Sequence, residues 1–326
     1  MTLSRWILIA TIISLLPVVS VHAQDTDDAN KAQAIAMIQA AYNFQGDMTI
    51  LDTIFADDFL YHPGGGGKDA LLDSVFSLRA AMPDLRTTPI ITVSEGGWVA
   101  AHLHVSGRFM SDLILPDSQV TATGGRLEIV TNVVFQFNPA GQISQQWILF
   151  DNLSYLSQLQ INTALPSSWV GPLEPVTLAD VPVAVEPVVN AYYNAFRAQD
   201  TQALQTTLDG TYVGYNPFGE FDRPGQVNEL SVLLGSFPDL QLDVTQIITE
   251  GQYAAILYNM NGTFAADLNT GSGIIPATGG PLDIIRIDFV EVSPQGTITE
   301  IREVYDSLDF FTQLDAVTVG VLLDSE

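Results

Sequence analysis

Two aspartates occupy the same place in two copies of one pattern. Asp151 ends ISQQWILFD (143–151), and Asp306 ends ITEIREVYD (298–306), 155 residues later. A carboxylate among apolar side chains has its charged form disfavoured, so its pKa rises towards a range useful for acid/base work. Each Asp also stands where a strand runs into a helix. It suits either a proton-transfer role near a pocket mouth or an N-cap of the following helix. Alternation along the strand puts Gln145, Trp147, Leu149 and Asp151 on one face. In the second copy Glu300, Arg302, Val304 and Asp306 share a face in the same way.

Other residues could join them. Tyr61-His62-Pro63 in the first copy is matched by Tyr215-Asn216-Pro217 in the second, one residue out of step, so His62 is read as the counterpart of Asn216. His62 and Tyr61 could position or polarise a substrate. His102 and His104, two apart on one strand, point to the same face. They could be half a metal site, but no third ligand is evident, and no metal is expected. Their face is the one opposite Leu103, Val105, Gly107 and Phe109, which makes an interface or surface polar contact their expected role. GGGGK (64–68) is not a phosphate-binding loop, because Asp69 stands where Ser or Thr is needed. G-x-S-x-G does not occur, and with no Cys in the chain thiolate chemistry and disulfides are excluded.

These residues are positioned by a duplication. The 155-residue offset also links MPDL at 82 with FPDL at 237, Glu95-Gly96 with Glu250-Gly251, and TATGG at 121 with PATGG at 276. Two copies are too few for a solenoid, so each must carry its own core. In the first copy, spacing predicts helices over 29–44, 47–54 and 68–81, and a short strand near 59–61. The period then changes to two, predicting strands over 86–94, 98–110, 126–138 and 143–150 and a closing helix over 153–159. The second copy repeats the order, with helices near 188–199, 201–208 and 224–236, strands near 240–250, 253–265, 281–292 and 298–305, and a closing helix to 314. Helices first and a mostly antiparallel sheet second is an α+β pattern.

The bulk numbers limit function. A formal charge of −26 argues against nucleic acid, whose phosphates are bound by Lys and Arg, and against anionic membrane surfaces. A hydrophobic content of 47% is enough for two cores. Residues 1–23 read as a signal peptide: Arg5, an apolar run from Trp6 to Val21, then small residues before a cleavage site after Ala23. The protein is expected to be secreted or periplasmic. Residues 24–28 (QDTDD) read as a polar, mobile lead-in, and the Pro-rich stretch 161–186 as a linker.

Each copy resembles the SnoaL-like polyketide cyclase family, within the nuclear transport factor 2-like superfamily. The resemblance rests on an ordered set: the amphipathic start, ADDFLYHP (56–63), AMPDL (81–85), Glu-Gly before the second long strand, ATGG, and G-x-I…W-x-x-x-D…QL. It covers 29–160 and 187–315, leaving 316–326 as a tail. It implies two cone-shaped domains, each a curved sheet wrapped on helices around an apolar pocket. It further implies cofactor-free aldol chemistry, with the Asp at the end of the last strand as acid/base. The chain departs from the family pattern. Phe109 and Phe264 stand where a His is common on the long strand, and Arg302 stands where Trp147 is kept. The first copy is therefore read as the better catalytic candidate.

Three functions remain open. One is a cofactor-free enzyme acting on a small carbonyl compound. Asp151 and His62 would be catalytic, with Asp306 as the second-copy equivalent. Tyr61, Phe109, Gln145 and Trp147 would line the first pocket, and Tyr215, Asn216, Phe264, Glu300 and Arg302 the second. Another is a binding module for a small apolar ligand. The third is a structural pairing domain. The two copies are expected to pair through their outer sheet faces within one chain, giving a monomer.

Overall fold

In the computed structural model, which describes residues 20–114, 119–160, 170–271 and 273–316, the apolar spacing of the first segment becomes one long helix, α1 (Ser20–Tyr42). Its Ala34, Met37, Ile38 and Ala41 are buried. Gly46 follows it, packed so tightly on the Gln39 and Ala40 carbonyls that no side chain fits there. Residues 24–28 are helical rather than a mobile lead-in. Asp27 accepts the Gly96 and Gly97 amides at 3.2 Å, which fastens the helix to a hairpin turn. The expected signal peptide lies mostly outside the described residues. Among the described residues no helix is long and apolar enough to cross a membrane.

The first domain continues with α2 (Leu51–Ile54), β1 (Phe55–His62), α3 (Lys68–Ala81), β2 (Arg86–Glu95), β3 (Trp98–Arg108), β4 (Leu113–Ile114), β5 (Gln119–Val120), β6 (Arg126–Phe137), β7 (Ile143–Phe150) and α4 (Asn152–Gln158). Its sheet runs β1-β7-β6-β3-β2. Only β1, which pairs with β7, breaks the antiparallel order.

The second domain repeats this with α5 (Val185–Arg197), α6 (Thr201–Thr207), β8 (Leu208–Asn216), β9 (Gly219–Asp222), α7 (Arg223–Ser236), β10 (Gln241–Glu250), β11 (Tyr253–Thr263), β12 (Leu268–Asn269), β13 (Ile274–Ile275), β14 (Pro281–Val292), β15 (Ile298–Val304) and α8 (Ser307–Gln313). Its sheet runs β10-β11-β14-β15-β8-β9, with β8 parallel to β15.

Pairing corrects one correspondence. His62 lies opposite Trp147, while Tyr215 lies opposite Arg302, the residue 155 beyond Trp147. The structural counterpart of His62 is therefore Tyr215, and Asn216 corresponds to Pro63. The loop after the strand absorbs the two-residue difference.

Each sheet is buried on both faces. The inner face of the first packs Val99, Ala101, Leu103, Val133 and Phe135 against α1 and α3. The outer faces pack on each other. Ile91, Val93, Ala100, Val134 and Leu149 of the first domain form one core with Ile248, Ala255, Leu257, Ile287, Phe289 and Val304 of the second. Burying that much aliphatic and aromatic surface on both sides is the main force holding the halves together. The connecting stretch adds to the seam: the Val176 amide donates to Ile90 O at 2.8 Å, and Val176 and Leu178 pack on the shared core.

Candidate acid–tyrosine site in the second domain

The strand face carrying Asp151 and Asp306 is the outer one. Trp147, Leu149 and Val304 belong to the core between the domains, so this face does not border an interior pocket. Both faces of each sheet are apolar, and alternation alone could not say which was which.

Asp151 is buried, and its carboxylate is fully engaged. It accepts the Leu153 amide at 3.3 Å, the Ser154 amide at 3.1 Å and the Ser154 hydroxyl at 2.6 Å. The other domain supplies the Ser307 amide at 3.1 Å and the Ser307 hydroxyl. Asp306 caps α8 through the Leu308 and Asp309 amides and accepts Asn152 Nδ2 at 2.5 Å. Burial and then competing hydrogen bonds act on Asp306, with a net rise in its pKa. Both carboxylates are therefore N-caps that also stitch the domain seam.

The other expected site residues scatter. His62 stacks on Trp147 at 4.8 Å and lies 3.1 Å from Gln145 Oε1, on the same outer strand face. Tyr61 packs against the first core, and Phe109 is buried at one end of the first domain. Phe264 stacks on Phe237 at 5.3 Å. Glu300 accepts Arg302 Nε at 2.6 Å, and Arg302 also donates to Pro172 O of the connecting stretch. Tyr215 is half-buried on the same edge. Of the expected set, Asn216 alone reaches the polar interior described next.

Inside the second domain lies a cluster that the sequence reading missed. Arg286 and Asp288 of β14 share inward parity with Ile284 and Val290 of the core. Arg286 Nη2 is 2.5 Å from Glu303 Oε2, and its Nε is 3.9 Å from Asp288 Oδ1. Asp288 Oδ2 accepts two phenols, Tyr193 and Tyr258, each at 2.7 Å. Glu303 Oε1 accepts Gln226 Nε2 at 3.1 Å, and Gln226 Oε1 accepts Tyr212 at 3.0 Å. Glu229 on α7 accepts Asn216 Nδ2 at 2.8 Å. The guanidinium stacks over the Tyr305 ring at 4.5 Å, a favourable cation–π contact. Arg286 is 5% exposed and Asp288 2% exposed, so these charges are held in the core.

One guanidinium faces three carboxylates. Burial pushes Glu229 up to about 7, and the charge of Glu303 adds to the rise. Burial pushes Asp288 up to about 6 against the pull of Arg286. Among the described residues, Glu229 Oε2 and Asp288 Oδ1 accept no hydrogen bond. Among the described residues the first domain has no such cluster. The positions 155 residues earlier are Thr131, Val133, Ile148 and Ser74 in place of Arg286, Asp288, Glu303 and Glu229. Its interior polar contact is Gln146 donating to the Tyr42 hydroxyl at 3.3 Å.

The sequence did hold a signal. IIRIDFV (284–290) places an Arg and an Asp on one face of a strand that is otherwise apolar. Buried charges persist only when paired, so such a face marks a polar interior.

The interior of the second domain is filled by its own side chains: Tyr193, Tyr212, Tyr258, Phe237 and Phe264 are fully buried. A small cleft, about 20 Å³, opens beside Glu303 at the seam, with Asn216 on one wall and Asp151 and Ser154 of the first domain on the other. That volume holds about one water. A surface groove of about 170 Å³ lies apart from it, between Arg126, Glu128, Gln158 and Val170. Among the described residues no cluster of His, Asp or Glu could hold a metal ion.

A family model described as SnoaL-like polyketide cyclase matches residues 32–159 and again 186–314. No curated protein matches the chain. Among solved structures, AclR from Streptomyces galilaeus aligns at 19% identity, covering 41% of this chain and 96% of its own, with a TM-score of 0.37. IdmH from Streptomyces antibioticus aligns at 22% identity over 41% of this chain and 99% of its own, with a TM-score of 0.36. TsrD from Streptomyces laurentii aligns at 22% identity over 41% and 96%, with a TM-score of 0.36.

Proposed function

Because the chain belongs, through both of its halves, to the SnoaL-like polyketide cyclase family, we propose that it binds a small molecule in its second domain and moves a proton there without a cofactor. The supporting observation is Glu229, held near neutrality by burial and by Glu303 beside the Arg286 cluster. A group with a pKa near the working pH both takes and returns a proton efficiently. A small carbonyl compound is the substrate class that suits this: Glu229 exchanges the proton beside the carbonyl, and the Asp288 network holds the surrounding charge. Asn216 is a positioning residue, orienting the Glu229 carboxylate. The first domain serves as structural partner, since its interior lacks these groups.

We further propose a secreted or periplasmic monomer, with residues 1–23 as its leader. A purely structural role is the second reading, and the filled interior favours it.

Deuterium uptake next to the carbonyl, followed by NMR on a panel of small ketones, tests the enzyme reading. Wild type should accelerate exchange, and Glu229→Gln should lose a factor of about 100 or more. His62→Gln, in the first domain, should keep the wild-type rate. Exchange that survives Glu229→Gln but fails in His62→Gln would move the chemistry to the first domain. No acceleration with any ketone would leave the structural role standing.

A further inference from the structure

We propose that the outer strand face of the first domain, around Trp98 and Trp147, docks an extended proline-rich segment of a partner protein. This holds whatever the second domain does with a small molecule.

Six side chains make the surface. Leu60 and His62 of β1, Gln145 and Trp147 of β7, Gln136 of β6 and Trp98 of β3 share one face of the sheet. His62, Trp147 and Trp98 stack in a row, with ring centres 4.8 and 5.6 Å apart. Gln145 ties the row to its neighbours: its Nε2 donates to Gln136 Oε1 at 2.6 Å, and its Oε1 lies 3.1 Å from His62 Nε2. Both tryptophans are only half-buried, and Leu60 is 48% exposed. The polar groups left to spend are donors. Among the described residues, the Trp98 and Trp147 indole N–H groups and the Gln136 amide nitrogen have no acceptor.

The second domain shows what the equivalent face takes. The residues 155 beyond Trp98 and Trp147 are Tyr253 and Arg302, which are 3% and 4% exposed. The connecting stretch lies on this side. Arg302 Nη1 donates to Pro172 O at 3.2 Å, Val176 and Leu178 pack on the shared core, and the Ala179 amide donates to Gln252 Oε1 at 2.6 Å. A proline carbonyl thus already sits on a side-chain N–H at the place equivalent to Trp147. The first domain has no counterpart of this stretch among the described residues. Residues 20–23, which correspond to 175–178, are the opening turn of α1, and Asp27 fastens that helix to the Gly96-Gly97 turn instead.

Chemistry selects the occupant. A polyproline II segment presents apolar rings and backbone carbonyls and, at each proline, no N–H. Half-buried aromatic rings with free N–H donors are its complement, and aromatic-lined grooves take such segments. The formal charge of −26 disfavours an acidic segment, so the peptide is neutral or basic. A second copy of this chain is not the source, because its own proline-bearing stretch is already seated on its Arg302 and Ile90.

The test is NMR titration of the full chain with an end-capped decaproline peptide, read on the indole N–H signals. Expected is a saturable shift of the Trp98 and Trp147 signals. Trp147→Phe keeps an aromatic ring and removes the N–H, and it should weaken binding about two- to tenfold. Gln136→Glu keeps the oxygen that Gln145 uses and removes the amide donors; it should weaken binding to a similar extent, and it leaves the aromatic row intact. Unchanged affinity in both variants would overturn the role given to the N–H groups. Equal binding of a Gly-Ser peptide of the same length would overturn the preference for proline. A shift of the same signals by cellohexaose but not by decaproline would assign the face to a carbohydrate and overturn the peptide. No shift of either indole with decaproline would overturn the docking site.

Discussion

Glu95 of the first domain accepts the backbone amide of Thr249 in the second at 2.7 Å. The relation returns 155 residues along, where Glu250 accepts the amide of Ser94, also at 2.7 Å. Each carboxylate also takes the hydroxyl of the same partner. The contact is thus made twice about an approximate two-fold axis. Near that axis Asn132 donates to Ile287 O, its own counterpart 155 residues on, at 2.6 Å. The seam is a homodimer interface written into one chain, and isologous contacts are the expected form of such an interface.

The two carboxylates should not cost the same to remove. Glu250 is half-buried and also holds Lys31 at 2.6 Å, whereas Glu95 is exposed. Glu250→Ala should destabilise the protein by about 1–3 kcal/mol, because the Ser94 amide and Lys31 lose a charged acceptor. Glu95→Ala should cost less. Urea unfolding of both variants checks the order, and equal costs would show that Lys31 contributes nothing.

His102 should make the seam weaken in acid. Its Nδ1 lies 2.6 Å from Asn132 Oδ1, and its ring packs on Phe289 of the other domain. Asn132 Nδ2 is committed to Ile287 O, so Asn132 Oδ1 accepts and His102 is neutral with its proton on Nδ1. Burial first, then the charge of Arg302, depresses its pKa to about 3. The unfolded chain binds this proton below about 6.5 and the folded chain does not. Stability from this group is therefore complete above about 6.5 and falls as pH drops towards 3, by up to about 1.4 kcal/mol per unit. Glu229 and Asp288 act with opposite sign, since their raised pKa values make the folded state bind protons more tightly. The comparison is thus wild type against His102→Leu, the residue found at the equivalent Leu257. Denaturation between pH 4 and 7 should show a shallower acid loss in the variant. Parallel curves would mean His102 does not titrate in this range.

Arg286 should be the most expensive single residue in the second domain. It is the one cation paired within the buried acid cluster, through Glu303 and Asp288. Arg286→Met keeps much of the volume and leaves the carboxylates uncompensated, so it should cost about 3–5 kcal/mol at neutral pH. The loss should shrink as pH falls through about 7 and then about 6, where Glu229 and Asp288 take up protons. Thermal unfolding at pH 5 and pH 8 reads the difference. A pH-independent loss would mean the cost is packing alone.

Much of the architecture was legible in the residues. The 155-residue repeat, the change of period from helical to alternating, and the paired Glu-Gly and Pro-Asp-Leu segments determined two α+β domains of the same plan. These are local patterns, and local backbone preferences with one-dimensional periodicity carry them. The outward direction of His102 was readable for the same reason, since alternation from Leu103 and Phe109 fixes it.

The site was not legible in this way. Alternation groups Trp147 with Asp151 and Arg286 with Asp288, but it does not say which face meets helices and which meets the other domain. In most sheets the polar face answers that question. Here both faces are buried, so the sequence left Asp151 open between a proton-transfer role and a helix cap, and the structure places it as a cap held by Ser307 across the seam. Glu229, Asp288 and Glu303 come from α7, β14 and β15, far apart in sequence; Glu229 and Glu303 each read alone as an ordinary surface acid, and only Asp288, beside Arg286 on an apolar strand, carried a signal. Only packing, which removed them from water around one guanidinium, raised the pKa of Glu229 and Asp288. The chain by itself determined how many domains there are and which segments build them. The tertiary structure decided which face is inside, because that depends on which apolar surfaces find each other.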